Sequence, residues 1–396
     1  VAGILEGVRV VDMGRYIAGP MCGALLGDLG AEVIRIERVG GGEDREQLPT
    51  NGGLDAGSGF LAFNRNKIGM TLDPGSEKGR EVMKRLLATA DILVVNLPAP
   101  ALAKLGIDYE SLKAIKPDII LVHTSSFGPE GPYSDRVGFD GIGQVMCGAS
   151  YLSGPPGYPT RHFSNWVDCT TALFNAYGAL AALLHKRATG EGQKVETNLL
   201  RSSLNVTSSL IIEEALTGIG RTSTGNRQQS GGPGDLVRTK DGWVLVQIVG
   251  NNLFKRWCKL LGEEQLLSDP RFDTDAKRGA PAAGEMLSQK TIEWAEKLTS
   301  AQALEALAGA MIPAGPLLSA RQVLEDPHIK EAGFYTNVDY PDAPRPVPYV
   351  EPGAKFGGQR TPINRPPRIG EHTDQILAEL GYAKAEIEAL RSSGDI

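Results

Sequence analysis

Asp168 has the most unusual surroundings of any titratable residue in this 396-residue chain. It opens a nearly uncharged stretch, with Trp166 and Val167 before it and Ala172, Leu173 and Phe174 after it. An aspartate there is a preferred helix N-cap, and capping alone would explain it. The same position keeps a carboxylate ionised, because the helix dipole and free N–H groups favour the anion. An anionic carboxylate with apolar flanks suits nucleophilic attack, whereas proton donation needs a raised pKa.

Other candidates have simpler readings. His123 lies in a strand pattern, where a core or strand-end role is expected. Arg161 and His162 sit in a polar loop before Asp168 and could line a pocket. Asp140 follows Phe139 in a Gly-rich loop, which suits a turn-stabilising side-chain bond. Glu213 and Glu214 are helix neighbours that point in different directions and read as a solvated face. Five histidines without an HExxH arrangement and four dispersed cysteines without CxxC predict no metal site.

These residues need a scaffold, and the first 130 residues supply one by alternating short apolar runs with helical patterns. Strands are expected at Val8–Met13, Glu32–Glu37, Ile92–Leu97 and Ile119–Thr124, with helices at Gly19–Leu29, Glu77–Ala90 and Tyr109–Ile115. Such alternation predicts a doubly wound α/β lobe, whose ligands sit beyond the carboxyl ends of the strands. A nicotinamide-binding lobe would show GxGxxG and an acidic residue ending strand two. Here Gly14, Gly19 and Gly23 have the wrong spacing and the second strand runs into Arg38, a cation that would welcome a phosphate. Glycines four apart at 19, 23 and 27 read as a close-packing helix face.

A long apolar helix, roughly Asp168 to Lys186, should end at the Thr189–Gly192 turn. Residues 217–241, rich in Gly and Ser with Gly231-Gly232-Pro233-Gly234 as their densest point, read as a linker. They divide a large lobe at 1–216 from a small α+β lobe at 242–335, in which a strand at Trp243–Val249 and helices at Asn252–Leu261 and Ala283–Ala310 are expected. Residues 336–396 return to the large lobe through a stretch, Tyr340–Pro367, with eight prolines, and a helix at His372–Leu390. The longest apolar run, Ala176–Leu184, is too short to span a bilayer. A net charge of −6 disfavours nonspecific binding to nucleic acid or anionic membrane, so neither partner is expected, and a polyanionic ligand would need local cations. The first residues lack a secretory pattern, and a reducing cytoplasm is expected.

Ordered segments then extend these readings to a family. They are Leu5-Glu6-Gly7-Val8-Arg9-Val10-Val11-Asp12, Ala18-Gly19-Pro20, Leu29 to Glu37, Asn64-Arg65-Asn66-Lys67, Asp91 to Asn96, the turn Thr189-Gly190-Glu191-Gly192-Gln193, and Gly370-Glu371-His372-Thr373-Asp374. In these the chain resembles class III CoA-transferases, the CaiB/BaiF group typified by formyl-CoA transferase. The resemblance implies a Rossmann-like large lobe built from both chain ends, a smaller lobe, and an interlocked homodimer. It implies that Asp168 is the nucleophile and that CoA contacts fall on Ile17, Ala18, Arg38, Leu72, Asn96, Leu97, Lys104, Val137, Gly138, Phe139 and Asp140. It further implies an acyl-CoA and a free carboxylic acid as substrates, with no tightly bound cofactor.

Formyl-CoA transferases carry Gln where this chain has Ile17, and their glycine loop is longer than Gly231–Gly234, so oxalate and formate are not the expected acids. Related racemases place His before Asp in the loop where this chain has Phe139-Asp140, leaving proton exchange without one of its bases. An acyl-CoA isomerase or racemase, or a noncatalytic CoA-thioester binding protein, stands as the alternative.

Overall fold

The computed structural model describes residues 3–48, 54–357 and 362–396. By packing, the chain divides into two compact units, one of residues 1–147, 163–209 and 331–396, the other of 148–162 and 210–330. Residues 148–162 and 210–216, expected in the large lobe, therefore group with the second unit.

The first unit is built on six parallel strands: β1 (Arg9–Asp12), β2 (Glu32–Glu37), β3 (Ile68–Thr71), β4 (Ile92–Val95), β5 (Ile120–Ser125) and β6 (Lys194–Asn198). Their order is β3-β2-β1-β4-β5-β6, the doubly wound arrangement whose direction of winding reverses between β1 and β4. Val10 lies in register with Val33 on one side and Ile92 on the other. All four residues of β4 are buried, as expected of a central strand covered on both faces. One face packs Val11, Leu93 and Leu121 against Leu86, Ile376 and Ile387. The other packs Val10, Val94 and Val122 against Leu26, Ala176, Ala179 and Leu183. The large unit is thus closed by the chain's C-terminal helices, Thr373–Glu379 and Lys384–Ser392, where a single helix over 372–390 was expected. Gly381, at φ +87°, makes the break between them.

The long helix runs Trp166–Thr189 and stops at Gly190, whose φ is 80°. By length and composition alone it could cross a membrane, contrary to the expectation that no segment approaches such a span. Its Ala176, Ala179, Ala182 and Leu183 are buried against the sheet. Asn175 pins it further, donating to the Thr124 hydroxyl at 2.8 Å and accepting from that of Thr197 at 2.5 Å. The glycine series does serve close packing. A Cβ on Gly19 would stand 2.7 Å from the Gly14 Cα, and one on Gly27 2.9 Å from the Asn66 carbonyl oxygen.

The second unit has a three-stranded antiparallel sheet of Gly234–Arg238, Trp243–Gln247 and Ala314–Pro316. Residues 217–241, expected as a linker, thus carry its first strand. Val244, Val246, Phe254, Trp257, Leu287 and Leu307 form its core. The helix expected over 283–310 is two, Pro281–Ala295 and Ser300–Gly309, because Thr299 and Gln302 form a capping box that starts a new one. Among its described residues the proline-rich return holds one strand, Val347–Val350, paired antiparallel with Tyr335–Val338 in the first unit.

Candidate active site

Buried charge fixes the loop after β1. Asp12 ends that strand fully buried and accepts the Gly14 N–H at 2.8 Å. Lys67 reaches Asp12 at 2.7 Å and also donates to the Pro20 carbonyl at 2.7 Å and to Asn64 at 2.8 Å. Arg35 donates to the Gly14 carbonyl and pairs with Asp44 at 2.6 Å. Each buried charge has an opposite partner, as the low-dielectric interior requires. Burial lowers the Lys67 pKa to about 8, against the opposing pull of Asp12.

The loop so anchored meets the other loops at the carboxyl ends of the strands. Asn96, just past β4, accepts the Arg15 N–H at 2.7 Å and donates to the Arg15 carbonyl at 2.8 Å. Glu43 takes the Arg15 guanidinium at 2.6 Å and the Tyr16 hydroxyl at 3.1 Å, and lies 3.6 Å from Arg38. Tyr16 holds a left-handed backbone, φ 64°, and its ring meets Phe139 edge-on at 5.5 Å between centroids. Such a conformation costs about 1–3 kcal/mol and persists where surrounding contacts impose it. The Leu97 carbonyl bonds His123 Nε2 at 2.9 Å, and burial lowers the pKa of that histidine.

The contacts then continue to Asp168. Asp140 opens the helix Asp140–Met146. One oxygen of its buried carboxylate accepts the backbone N–H of Val167 at 2.8 Å and of Asp168 at 3.1 Å. Its other oxygen accepts from Gln144, which also donates to the Ser164 carbonyl at 3.1 Å. Asp168 is therefore the third residue of its helix and does not cap it. Asn165 stands at the N-cap without a side-chain bond, and Asp140 does the capping from another segment. This corrects both the capping reading of Asp168 and the local turn role expected of Asp140. It also reverses the expected electrostatics, because burial first and the Asp140 charge second push Asp168 up to about 7. Among the described residues no cation or donor engages the Asp168 carboxylate.

Within the first unit, Ile17, Ala18, Arg38, Asn96, Leu97, Phe139, Asp140 and Asp168 are thus joined by one run of contacts. Ile17, Ala18 and Leu72 have buried side chains, and Leu72 belongs to the core. Val137 and Phe139 are exposed, and the Gly138 carbonyl accepts from Ser126 at 3.1 Å. Arg38 is exposed and donates to the Gly41 carbonyl at 2.7 Å. Lys104 is exposed in the last turn of the helix Ala99–Leu105 that follows Leu97. Arg161, His162, Arg227 and the 231–234 loop belong to the second unit. Arg15, Tyr16, Glu43 and Gln144 were not anticipated. Gln144 alone carried a signal, since it stands four residues after Asp140, the spacing of facing helix positions.

The doubly wound lobe thus carries Asp168 as a half-buried carboxylate at the head of its long helix, beside Asp140. The sequence model of CoA-transferase family III matches residues 5–373, and the chain belongs to that family. It is similar to a succinate–glutarate CoA-transferase of Agrobacterium fabrum, 31% identical over 95% of both chains. It is 33% identical to a succinyl-CoA–D-citramalate CoA-transferase of Chloroflexus aurantiacus, covering 98% of this chain and 97% of that one. Among solved structures it resembles a CaiB/BaiF family protein from Brucella suis, with a TM-score of 0.83, 32% identity, and coverage of 96% and 100% of the two chains. The protein is an enzyme of the class III CoA-transferase type, and its substrates include CoA thioesters.

Proposed function

We propose that the enzyme moves CoA from a dicarboxylic acyl-CoA such as succinyl-CoA to a second small dicarboxylic acid, with Asp168 as the covalent relay. The observation that carries this reading is the Asp168 carboxylate, half-buried, without a cationic partner among the described residues and raised to about 7. A carboxylate of ordinary acidity is a weak nucleophile, and burial strips away the water that would weaken it further. Asp168 attacks the donor thioester carbonyl, the C–S bond breaks, and CoA thiolate leaves a mixed anhydride. The thiolate attacks the aspartyl carbon and expels the donor acid, giving an aspartyl-CoA thioester. The acceptor carboxylate attacks that thioester and expels the thiolate, which then takes the acceptor acyl group and frees Asp168. Charge is conserved at each step, so neither metal nor external base is consumed.

CoA is held in this reading by Ile17, Ala18, Leu72, Asn96, Leu97 and the 137–140 loop, with the exposed cations Arg38 and Lys104 facing its phosphates. The relatives' names support a dicarboxylic donor and acceptor. The enzyme works as an interlocked homodimer in the cytoplasm, a reading supported by four free thiols and by apolar side chains that one chain leaves exposed, among them Val145, Leu173, Tyr177 and Val206.

Incubation with succinyl-CoA and a panel of free acids, followed by mass spectrometry of the CoA products, tests the reaction. New CoA esters of dicarboxylic acids are expected. Deuterium uptake at the α-carbon without CoA exchange would mean an isomerase, and binding without either would mean a noncatalytic CoA-thioester protein.

A further inference from the structure

Asp140 spends its carboxylate inside the protein. One oxygen holds the N–H groups of Val167 and Asp168 at 2.8 and 3.1 Å, and Gln144 satisfies the other. The N–H groups that head a helix are the donors best placed to stabilise an anion on its first turn. An aspartate in that turn would ordinarily draw on them. Here a second carboxylate occupies them and adds a like charge beside it.

We propose that Asp140 is a positioning residue for the transfer, one that ties down the head of the long helix while denying Asp168 its donors and leaving that carboxylate a bare nucleophile. The inference rests on the reading of Asp168 as the covalent relay. The raised Asp168 pKa agrees with it, since burial and Asp140 are its two causes. The neighbouring thiol feels the same field: burial, then Asp168, then Asp140 raise Cys169 to about 11. Charged groups on the other elements packed against this helix are engaged elsewhere. Asp28 pairs with Arg65, His123 bonds the Leu97 carbonyl, Lys194 pairs with Glu196, and Arg201 is exposed. Removing the charge at 140 should therefore make Asp168 more acidic and less reactive.

The test is the pH dependence of kcat/KM for CoA exchange in wild type, Asp140→Asn and Gln144→Met, together with hydroxylamine trapping at Asp168. Asp140→Asn keeps an acceptor oxygen but removes the charge. Its acid limb should move down by roughly one pH unit, with a lower plateau and trapping retained. Gln144→Met keeps the charge at 140 but withdraws a donor that partly neutralises it, so that charge acts more strongly on Asp168 and the limb should move up. This second variant carries the test if Asp140→Asn fails to fold. A merely structural role would lower the amount of folded enzyme and leave the limb in place. Trapping at Asp168 with unmoved limbs overturns the role of Asp140 and leaves the relay intact. Absence of trapping at Asp168 in the wild type overturns both.

Discussion

On the proposed role of Asp168, one proton links catalysis to stability. The residue's folded pKa of about 7 lies above the ordinary 3.8, so the folded protein binds this proton more tightly than the unfolded chain. The favourable contribution of the protonated form is complete below about pH 4 and is lost as pH rises through 7. Above that, the enzyme carries an unpaired, partly desolvated charge as a standing cost. Asp168→Asn removes both nucleophile and charge, so turnover should fall on the order of 10⁴-fold or more. The variant should also be more stable than wild type at pH 8, by about 1–2 kcal/mol after allowing for partial solvent access. That advantage should vanish near pH 4. Thermal melts across this range check it, and equal melting at pH 8 would remove the partly desolvated charge from the account.

At the scale of elements, the loop after β1 depends on a cluster of charges more than on its own residues. Asp12, Lys67, Arg35 and Asp44 lie buried in contact, and Lys67 also fixes the first turn of the helix Ala18–Asp28 through the Pro20 carbonyl. Lys67→Met preserves most of the side-chain volume but takes one cation from the cluster. A lost partner in such a buried network costs about 3–5 kcal/mol. The expected result in urea unfolding is a lower midpoint with little change in slope. If the proposed CoA site is right, CoA affinity should fall in parallel, because Asn96 is held to the Arg15 backbone of the loop this network anchors. Full stability in the variant would mean that the cluster is incidental to the loop.

For the whole molecule, the exposed apolar side chains are numerous for a chain that works alone. Val145, Leu173, Tyr177 and Val206 lie on three helices of the first unit, each more than half exposed, and they are candidates for the surface that the proposed dimer would cover. Interlocked subunits would cover them and could part only by unfolding. Two differently tagged preparations mixed under native conditions should therefore yield no hybrid dimers over hours. Hybrids within minutes would exclude interlocking, and sedimentation as a monomer would exclude the dimer.

The sequence by itself determined the parallel α/β lobe, because alternating apolar runs and amphipathic segments leave little other way to bury both faces of a sheet. It also determined the family and singled out Asp168, since one carboxylate amid apolar neighbours is visible without coordinates. Local patterns were less informative where a break depends on capping: Thr299 with Gln302, and Gly381, divided helices that periodicity had joined. The state of Asp168 was decided by tertiary structure alone. Sequence places it at a helix start and so predicts an anion bathed in free N–H groups. Folding brings Asp140, twenty-eight residues earlier, onto those same N–H groups. Burial and the contest between two carboxylates for one set of donors are properties of space, and neither is written in the order of the residues.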